Sequence, residues 1–371
     1  MIKIHAVGDI MLGEGPYFLD RGVRTAINKY GSEYIFKPIQ ALLCDADIIF
    51  GNLEVPCSTI GKNKGLRSRI FRGHDKGSKV LKSAGFNLLS VANNHFLTHG
   101  KKASHDTIKR LKRDNINSVG WDISAPLEEA AVWIGQIGYH KIGVIALCDV
   151  PTTLSDASKR IYFPSIYKPW VFDTISKLKS KTDLLILSIH WGAEYIDIPN
   201  PKYIMLARSW IDKGVDVILG HGPHVLQGYE FYNGKLIIYS MGNFMFDQIF
   251  CEPTRVGAIF TIIAKKGTIS LQIQPVITEN NFQVHPLTNF VCDSWIDKIN
   301  NLSEKIRSKS LTELKEIESS YDDLAKKIYW KTQKIYLKHI FQNIHKLTIR
   351  SSASLFRDMF PRLLKLYRSL F

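Results

Sequence analysis

The feature that most constrains the fold is a series of short, continuous apolar runs that each end in polar or glycine residues. Over residues 1–290 the runs include KIHAVG, ADIIFGN, FNLLSVANN, KIGVIAL, DLLILSIHWG, VDVILGHGPH, KLIIYSMGN and VGAIFTII. Continuous apolar runs are typical of strands that are buried on both faces. Helical patterns such as SHDTIKRLKRDN and KYIMLARSWIDKG lie between them. Strands that alternate with helices predict an α/β domain built on a largely central sheet.

The strand pattern stops near residue 290. Beyond it, apolar residues recur at three- and four-residue steps and so predict one face of a helix: Leu314, Ile317, Tyr321, Leu324 and Ile328. We therefore place a domain boundary there. The α/β domain is predicted over residues 1–290, and a basic, amphipathic helical extension is predicted over residues 291–371.

Cysteine usage and the start of the chain bear on the compartment. Five scattered cysteines without a C-x-x-C pair argue against a zinc-finger module and a disulfide framework, and they suit a reducing cytosol. No apolar run approaches the length of a membrane span, and MIKIHAVGDIMLG resembles a core strand more than a signal peptide. We expect a cytoplasmic protein, and the sequence leaves its oligomeric state open.

Polar side chains follow the apolar runs where the predicted strands end. In chain order they are Asp9, Asn52, Glu54, Asn93, Asn94, His95, His190, Glu194, His221, His224 and Asn243. Singly, each also fits a cap, a turn or an ordinary core histidine. Because ligands bind outside the carboxyl ends of the strands in α/β sheets, the recurrence at strand after strand favours one common site.

The residue types in this set favour metal chemistry. Carboxylates, amides and imidazoles without cysteine are ligands suited to Mn, Fe, Zn or Mg. More than four candidates are too many for one tetrahedral structural zinc. Two ions that share a carboxylate use such a set better, and such a pair polarises an ester oxygen and acidifies a bridging water.

The chain resembles the CapA family of bacterial capsule or poly-γ-glutamate synthesis proteins, a branch of the calcineurin-like metallophosphoesterases. Over residues 1–290 the resemblance is carried by GDIMLG, GNLEVP, FRGH, LKSAGFNLLSVANNHFLTHG, IHWGAEY, GVDVILGHGPHVLQGYE and YSMGNFMFD. It implies a four-layer metallophosphoesterase-like sandwich, with two packed sheets flanked by helices. It also implies a metal-dependent phosphoesterase-like hydrolase or transferase of capsule or poly-γ-glutamate synthesis, with one or two divalent ions and an envelope polymer or phosphoester substrate.

Two other functions remain open beside this one. The first is a non-catalytic scaffold that binds the polymer or partner enzymes on a degenerate metallophosphoesterase fold. The second is a γ-glutamyl amide hydrolase or transferase, because the family name refers to that polymer and the same metal arrangement serves amide chemistry. The sequence does not separate phosphoester from amide chemistry.

Residue roles carry over from the resemblance position by position. Asp9 matches the first metal aspartate, and Glu54 lies where the superfamily has its bridging carboxylate. His95 matches a phosphate contact or general acid. The implied metal ligands are Asp9, Glu54, Asn94, His190, His221 and His224, and the implied catalytic residues are His95, Asp9 and Asn52.

Three positions depart from the family pattern. Met11 stands where a second ligand usually follows the first aspartate, Gly222 where CapA-like chains commonly have another histidine, and Thr98 where an aspartate is frequent. We therefore expect one metal position formed by Glu54, Asn94, His190 and a terminal histidine. The second position rests on Asp9 and His224, and the departures weigh against it.

Most of the formal charge of +15 lies at the end of the chain. Residues 324–371 contain eleven basic residues and one acid, Asp358, and so account for +10 of it. From Ser354 onward apolar and basic residues fall at helical spacing, interrupted by Pro361. Two interpretations stay open: a helix packed on the domain with a solvated basic face, or an interfacial helix on the anionic inner face of the membrane. A nucleic-acid partner is least favoured, since no recognised module is present.

Deleting residues 351–371 tests the interfacial interpretation. We expect the truncated chain to bind anionic liposomes more weakly, because basic side chains beside an apolar face add electrostatic attraction to its insertion. Its metal content is expected to stay unchanged, because the implied ligands all precede residue 225. Liposome co-sedimentation and elemental analysis measure the two quantities. Equal sedimentation of both chains would exclude the interfacial helix.

Overall fold

Fourteen strands of the described residues form two mixed sheets in the computed structural model, one of eight strands and one of six. The structure describes residues 1–16, 18–61, 68–151 and 169–343, together with Phe163 and Ile166. Helices flank the two sheets, so the predicted α/β class with two packed sheets is confirmed.

The first sheet has the strand order β14-β13-β12-β1-β2-β3-β4, and β11 pairs with β1 outside this path. Its strands are β1 (Ile2–Ile10), β2 (Ile48–Leu53), β3 (Leu88–Ser90), β4 (Asn117–Val119), β11 (Asn243–Met245), β12 (Val256–Lys265), β13 (Thr268–Thr278) and β14 (Val284–Pro286). Strands β11, β1, β2, β3 and β4 pair with one another in parallel. Strand β12 pairs with β1 in the antiparallel direction, and β13 and β14 continue the sheet antiparallel.

The second sheet has the order β5-β6-β7-β8-β10-β9, with a parallel centre from β6 to β10. Its strands are β5 (Val132–Ile137), β6 (His140–Cys148), β7 (Leu184–His190), β8 (Val217–His221), β9 (Tyr229–Tyr232) and β10 (Lys235–Ile238). The apolar run KLIIYSMGN, expected as one strand, therefore divides: β10 ends in the second sheet, and β11 begins five residues later in the first.

Helices connect and cover the sheets. They are α1 (Val23–Tyr30), a 3₁₀ turn (Lys37–Ile39), α2 (Gln40–Leu43), α3 (Gly77–Ser83), α4 (Lys101–Arg113), α5 (Leu127–Ala130), α6 (Trp170–Lys179), α7 (Pro201–Lys213), α8 (Glu252–Arg255), α9 (Asn289–Arg307) and α10 (Leu311–Asn343). The local sequence explains where α7 begins. The Asn200 side chain caps the helix by accepting a hydrogen bond from the Lys202 amide at 3.0 Å, and Pro201 follows at the first helical position.

Burial on both faces explains the continuous apolar runs. Along β6, Ile142, Val144 and Ala146 belong to the cluster shared with the first sheet. The alternate residues Ile145 and Leu147 pack in the cluster that α6 and α7 contribute to. A strand between a sheet and a helix layer needs apolar residues at every position, because successive side chains point to opposite faces.

The chain after residue 290 packs on this body as far as it is described. The last strand ends at Pro286, and α9 and α10 follow. Trp295 and Ile299 on α9 join the main core, and Leu314 and Tyr321 on α10 are buried. Leu324, expected on the same face, is 40% exposed, because the face of α10 that meets the body continues instead through Ala325, Ile328 and Thr332. The division at residue 290 into two domains stays a prediction.

The basic segment from Ser354 onward lies outside the described residues, so both interpretations of it stay predictions. Among the helices that the structure describes, none is long and apolar enough to cross a membrane.

Candidate metal centre

Strand register brings the predicted site residues to one level. In the first sheet Asp9 pairs with Asn52 on β2 and with Asn243 on β11. In the second sheet His190 on β7 pairs with His221 on β8. Strands β1 and β8 contact each other across the interface between the sheets. The carboxyl ends of both parallel sections therefore meet, and these five side chains lie at the same edge of the two sheets.

Three side chains form a compact cluster of possible ligands. One ligand atom from each of Asp9, Glu54 and His190 lies within 4.8 Å of the others, and all three residues are buried. The Nε2 atom of His190 lies 4.0 Å from Glu54 Oε1. This group places Asp9 with Glu54 and His190, whereas the sequence assigned Asp9 to a second position.

Two histidines join Asp9 and Glu54 from the other side: His221 at the end of β8 and His224 in the loop that follows it. His221 Nδ1 lies 3.5 Å from Asp9 Oδ1, and His224 Nδ1 lies 3.3 Å from Asp9 Oδ2. His224 Nε2 lies 3.8 Å from Glu54 Oε1. His224 reaches both carboxylates from a left-handed backbone conformation, φ +60°, which is uncommon for a residue other than glycine.

Several buried polar atoms at the centre lack hydrogen-bond partners among the described residues. Among the described residues, both carboxylate oxygens of Glu54 and both ring nitrogens of His221 have no hydrogen-bond partner. Buried polar groups are nearly always hydrogen-bonded, because an unpaired one loses its solvation without compensation. Oxygen and imidazole donors converge here, and a divalent cation is the ligand that satisfies such a set. The residues therefore fit a divalent metal ion.

Protons compensate the charge of the cluster when no cation is bound. Burial and the Asp9 charge raise the pKa of Glu54 well above its usual range. Burial opposes the ionisation of Asp9, but His221 and His224 outweigh it and hold the pKa of Asp9 well below its usual range. Burial also disfavours the cation of His224, yet Glu54 and Asp9 raise its pKa to about 10. Metal binding at this site is therefore expected to release protons.

An amide network holds Asp9 in place. Asn52 Nδ2 donates to Asp9 Oδ1 at 2.8 Å and lies 3.3 Å from His190 Nδ1. Asn93 Nδ2 in turn donates to Asn52 Oδ1 at 3.0 Å. Asn52 thus lies between an acidic and a basic candidate ligand and orients both. Asn93 had no assigned role from sequence, although its position beside Asn94 and His95 was visible there.

The Asn94–His95 pair is buried in the turn after β3. The imidazole of His95 stacks on the ring of Phe71 at 4.1 Å with an interplanar angle of 25°. Burial lowers the pKa of His95 to about 3, and it lowers the pKa of His190 to about 3 as well. Both imidazoles are therefore neutral near pH 7, the form that binds metal or accepts a proton.

Two of the departures from the family pattern have a local structural basis. Met11 packs with Val55 and Phe246, next to Phe71, and its sulfur accepts a hydrogen bond from Gly13 N at 3.2 Å. Gly222 has φ +107°, and a Cβ atom there would lie 2.6 Å from Trp191 O. Its amide donates to Asp9 Oδ2 at 3.1 Å. The chain thus places an apolar cluster and a backbone donor where ligands were expected.

Glu194 and Tyr195 adjoin the cluster. Glu194 was among the residues expected at one common site but received no specific role, and Tyr195 was not among them. Glu194 interacts electrostatically with Glu54 and His224. The partly buried ring of Tyr195 lies 6.3 Å from that of His224, and the Tyr195 amide donates to Pro223 O at 2.7 Å. The string IHWGAEY contained both residues, but their approach to the β8 loop depends on the packing of two loops.

The sequence model of the family described as "Bacterial capsule synthesis protein PGA_cap" matches residues 3–248. The chain is 31% identical over 283 residues to "Capsule biosynthesis protein CapA" of Bacillus anthracis, which covers 73% of this chain and 66% of that protein. It is also 31% identical over 272 residues to "PGA biosynthesis protein CapA" of Bacillus subtilis (strain 168), which covers 73% and 70%. The chain thus spans slightly less than two thirds of the first relative.

Among solved structures, the fold is similar to that of a putative 5′-nucleotidase from Staphylococcus aureus in complex with alpha-ketoglutarate. The TM-score is 0.46 at 13% identity, and the match covers 81% of this chain and 58% of that one. A likeness at this level carries no conclusion about activity.

Proposed function

The chain belongs to the PGA_cap family of bacterial capsule synthesis proteins, and from this premise we propose that it is a metal-dependent, phosphoesterase-like hydrolase or transferase of capsule or poly-γ-glutamate synthesis. The observation that carries the proposal is the buried cluster of Asp9, Glu54 and His190, in which both Glu54 oxygens lack a hydrogen-bond partner among the described residues. A stable protein keeps such a cluster only at a cost, and a ligand-binding role accounts for it.

In the proposed site Asp9, Glu54 and His190 hold the cation, with Asn94, His221 and His224 as further ligands. A divalent ion there supplies Lewis-acid polarisation of an ester oxygen and a more acidic water. Asn52 keeps Asp9 and His190 oriented through its amide. Because Asp9 is held ionised, it offers the ion a charged oxygen without first losing a proton.

We assign His95 to the substrate side of the site. Its neutral imidazole, fixed against Phe71, donates a hydrogen bond to an ester oxygen or accepts a proton from an attacking group. Acting as general acid requires a higher pKa, which the negative charge of a bound phosphoester supplies. The resting site thus favours phosphate positioning by His95.

Metal loading and hydrolysis test the proposal together. We expect the purified protein, incubated separately with Mn²⁺, Zn²⁺, Fe²⁺ and Mg²⁺, to retain one or two equivalents of at least one of them after desalting. The loaded protein is expected to hydrolyse bis(p-nitrophenyl) phosphate or p-nitrophenyl phosphate, and EDTA to abolish this, because the ion supplies the electrophile. Elemental analysis and absorbance measure the two properties. A protein that binds none of these ions and hydrolyses neither ester contradicts the proposal.

A second function, a non-catalytic polymer- or partner-binding scaffold, is favoured by one observation. Met11, in its apolar cluster with Val55 and Phe246, closes a position where the resemblance implies a ligand. A His190→Ala strain separates the two functions. Lost polymer production at a normal protein level supports the metal-dependent enzyme, and normal production supports the scaffold.

A further inference from the structure

Asn243, one of the polar residues expected at the common site, lies on β11 beside Asp9 and has no role in the chemistry proposed above. The residue is 1% exposed. Its Oδ1 atom lies 2.9 Å from Nδ1 of His224, and its Nδ2 atom donates to Thr254 O at 2.9 Å and to Gln248 Oε1 at 3.2 Å. The side-chain amide of Asn243 therefore uses both of its ends next to a candidate metal ligand.

The backbone carbonyl of Thr254 fixes which way round this amide lies. A carbonyl oxygen only accepts hydrogen bonds, so the Asn243 atom that faces Thr254 O must be the amide nitrogen. The opposite end of the amide, which faces His224, is then the oxygen. Thr254 is itself held in place, since its hydroxyl donates to the backbone oxygens of Gln248 and Cys251 at 2.5 and 3.0 Å. The orientation of the amide thus follows from its partners.

An acceptor next to Nδ1 decides the tautomer of His224. Since Oδ1 of Asn243 cannot donate, the ring nitrogen 2.9 Å away must carry a hydrogen. Oδ2 of Asp9, which lies 3.3 Å from the same nitrogen, is also an acceptor and supports this assignment. A neutral imidazole with its hydrogen on Nδ1 has its lone pair on Nε2, the atom that lies 3.8 Å from Glu54 Oε1. The lone pair of His224 therefore faces the candidate cluster.

The arrangement matches that on the other side of β1. Asn52 and Asn243 are the register partners of Asp9 on the two neighbouring strands, β2 and β11. Each of them contacts a histidine contributed by the second sheet: Asn52 lies next to His190, and Asn243 lies next to His224. Both strands thus bring an amide to the level of the metal cluster, where it meets an imidazole.

From this geometry we infer that Asn243 is a positioning residue, which holds His224 by its Nδ1–H and leaves Nε2 free for a divalent cation. The inference rests on the proposed function and specifies how one ligand of that site is oriented. Metal-bound histidines nearly always donate their other ring N–H to an acceptor, and such acceptors contribute about 10- to 100-fold to metal affinity. Asp9, the second acceptor near Nδ1, is itself a proposed ligand, whereas Asn243 has no other task at the site.

Two substitutions of Asn243 separate positioning from stability. Asn243→Leu has nearly the same size but offers no acceptor, and we expect it to bind Zn²⁺ about 10- to 100-fold more weakly than the wild type. Asn243→Asp keeps an oxygen for the Nδ1–H of His224, and we expect its affinity to fall by no more than about threefold. Both variants are expected to be less stable than the wild type, because both remove the donor to Thr254 O. A merely structural role predicts that both lose affinity alike.

Asn87→Leu is the matched control. The Oδ1 atom of Asn87 accepts a hydrogen bond from Ile49 N at 2.9 Å, and its Nδ2 atom donates to Asp47 O at 2.9 Å. Asn87 directly precedes β3 and lies beside the start of β2, at the opposite end of these strands from the metal cluster. We expect this variant to lose stability, as Asn243→Leu does, but to keep its Zn²⁺ affinity within about twofold of the wild type.

Competition with a chromogenic chelator measures the Zn²⁺ affinity, and denaturant unfolding of the metal-free proteins measures stability. Equal affinity of Asn243→Leu and the wild type overturns the inference, and so does equal weakening by the leucine and aspartate variants. Long-range proton–nitrogen correlation spectra of the Zn²⁺-loaded, histidine-labelled protein report the tautomer directly, with the His224 signals identified by their absence from His224→Gln. We expect a hydrogen on Nδ1 of His224. A His224 ring that binds Zn²⁺ through Nδ1 overturns the inference.

These outcomes are independent of the hydrolysis assay. Zn²⁺ affinity that depends on the acceptor at Asn243, in a protein without hydrolytic activity, upholds this inference and removes the enzyme. Ester hydrolysis by a protein whose Zn²⁺ affinity is the same with and without that acceptor does the reverse. A wild-type chain without affinity for Zn²⁺ also overturns the inference.

Discussion

Replacing Glu54 by glutamine is expected to weaken the affinity for divalent metal by at least about 100-fold, since even changes to groups behind metal ligands cost 10–100-fold. Glu54 is fully buried, and neither of its oxygens has a hydrogen-bond partner among the described residues. The amide loses the negative charge on which binding depends. Isothermal titration and elemental analysis after desalting measure the loss.

The metal-free Glu54→Gln protein is expected to be at least as stable as the metal-free wild type. Burial raises the pKa of Glu54, which means that the fold disfavours its charged form. A neutral amide removes that cost, so only the stabilisation added by metal disappears. Denaturant unfolding with and without metal measures both effects.

Glu230→Gln is the matched control, because Glu230 is also a buried glutamate, but its carboxylate has hydrogen-bond partners. It accepts hydrogen bonds from Arg208 at 3.0 and 2.8 Å and from the Tyr239 hydroxyl. Replacing Glu230 leaves Arg208 without its buried carboxylate partner. We expect this to lower the unfolding free energy by about 3 kcal/mol. Metal affinity is expected to persist. A Glu54→Gln protein that binds metal like the wild type would remove Glu54 from the site.

Introducing a histidine at Gly222, where the family resemblance implies one, is expected to destabilise the protein and not to complete the site. The φ angle of +107° is unfavourable for any side chain, and a Cβ atom would meet Trp191 O at 2.6 Å. We expect Gly222→Ala and Gly222→His each to lose about 2–4 kcal/mol of unfolding free energy. Metal affinity is expected to fall too, because the Gly222 amide holds Asp9 Oδ2.

Gly234→Ala separates backbone strain from steric conflict. Gly234, in the turn between β9 and β10, has φ +74°, but no atom lies within 4 Å of its Cβ position. We expect Gly234→Ala to lower the unfolding free energy by about 1 kcal/mol, the cost of the left-handed conformation alone. Denaturant unfolding of the three variants compares them. Equal losses at both glycines, or a Gly222→His protein with higher metal affinity, would contradict the assigned cause.

Periodicity was sufficient to predict helices, strands and the α/β class, whereas the arrangement in two packed sheets was implied only by the family resemblance. The helical patterns over residues 104–115 and 202–214 correspond to α4 and α7, and the run DLLILSIH corresponds to β7. These elements depend on local propensity and on burial, which leave a periodic trace in the chain. The division of KLIIYSMGN between two sheets left no such trace, because both strands are buried and apolar.

In the candidate site too, the sequence pattern identified the residues, whereas the packing of the sheets determined which of them lie together. Asp9, Glu54 and His190 stood out because each follows an apolar run. The grouping of Asp9 with Glu54 and His190 within 4.8 Å depends on which strands are neighbours and on how the two sheets face each other. Sequence order does not encode this proximity, since Asp9 and His190 are far apart along the chain.

By itself the sequence determined the α/β class, the ligand types at the strand ends and the basic character of the last part of the chain. These follow from residue chemistry and spacing, which are properties of the chain alone. Only the tertiary structure decided that Gly222 offers an amide to Asp9, that Met11 closes an apolar cluster, and that Tyr329 of α10 stacks on Tyr195 next to the site. Such contacts join residues distant in sequence, and their geometry is fixed by how sheets and helices pack.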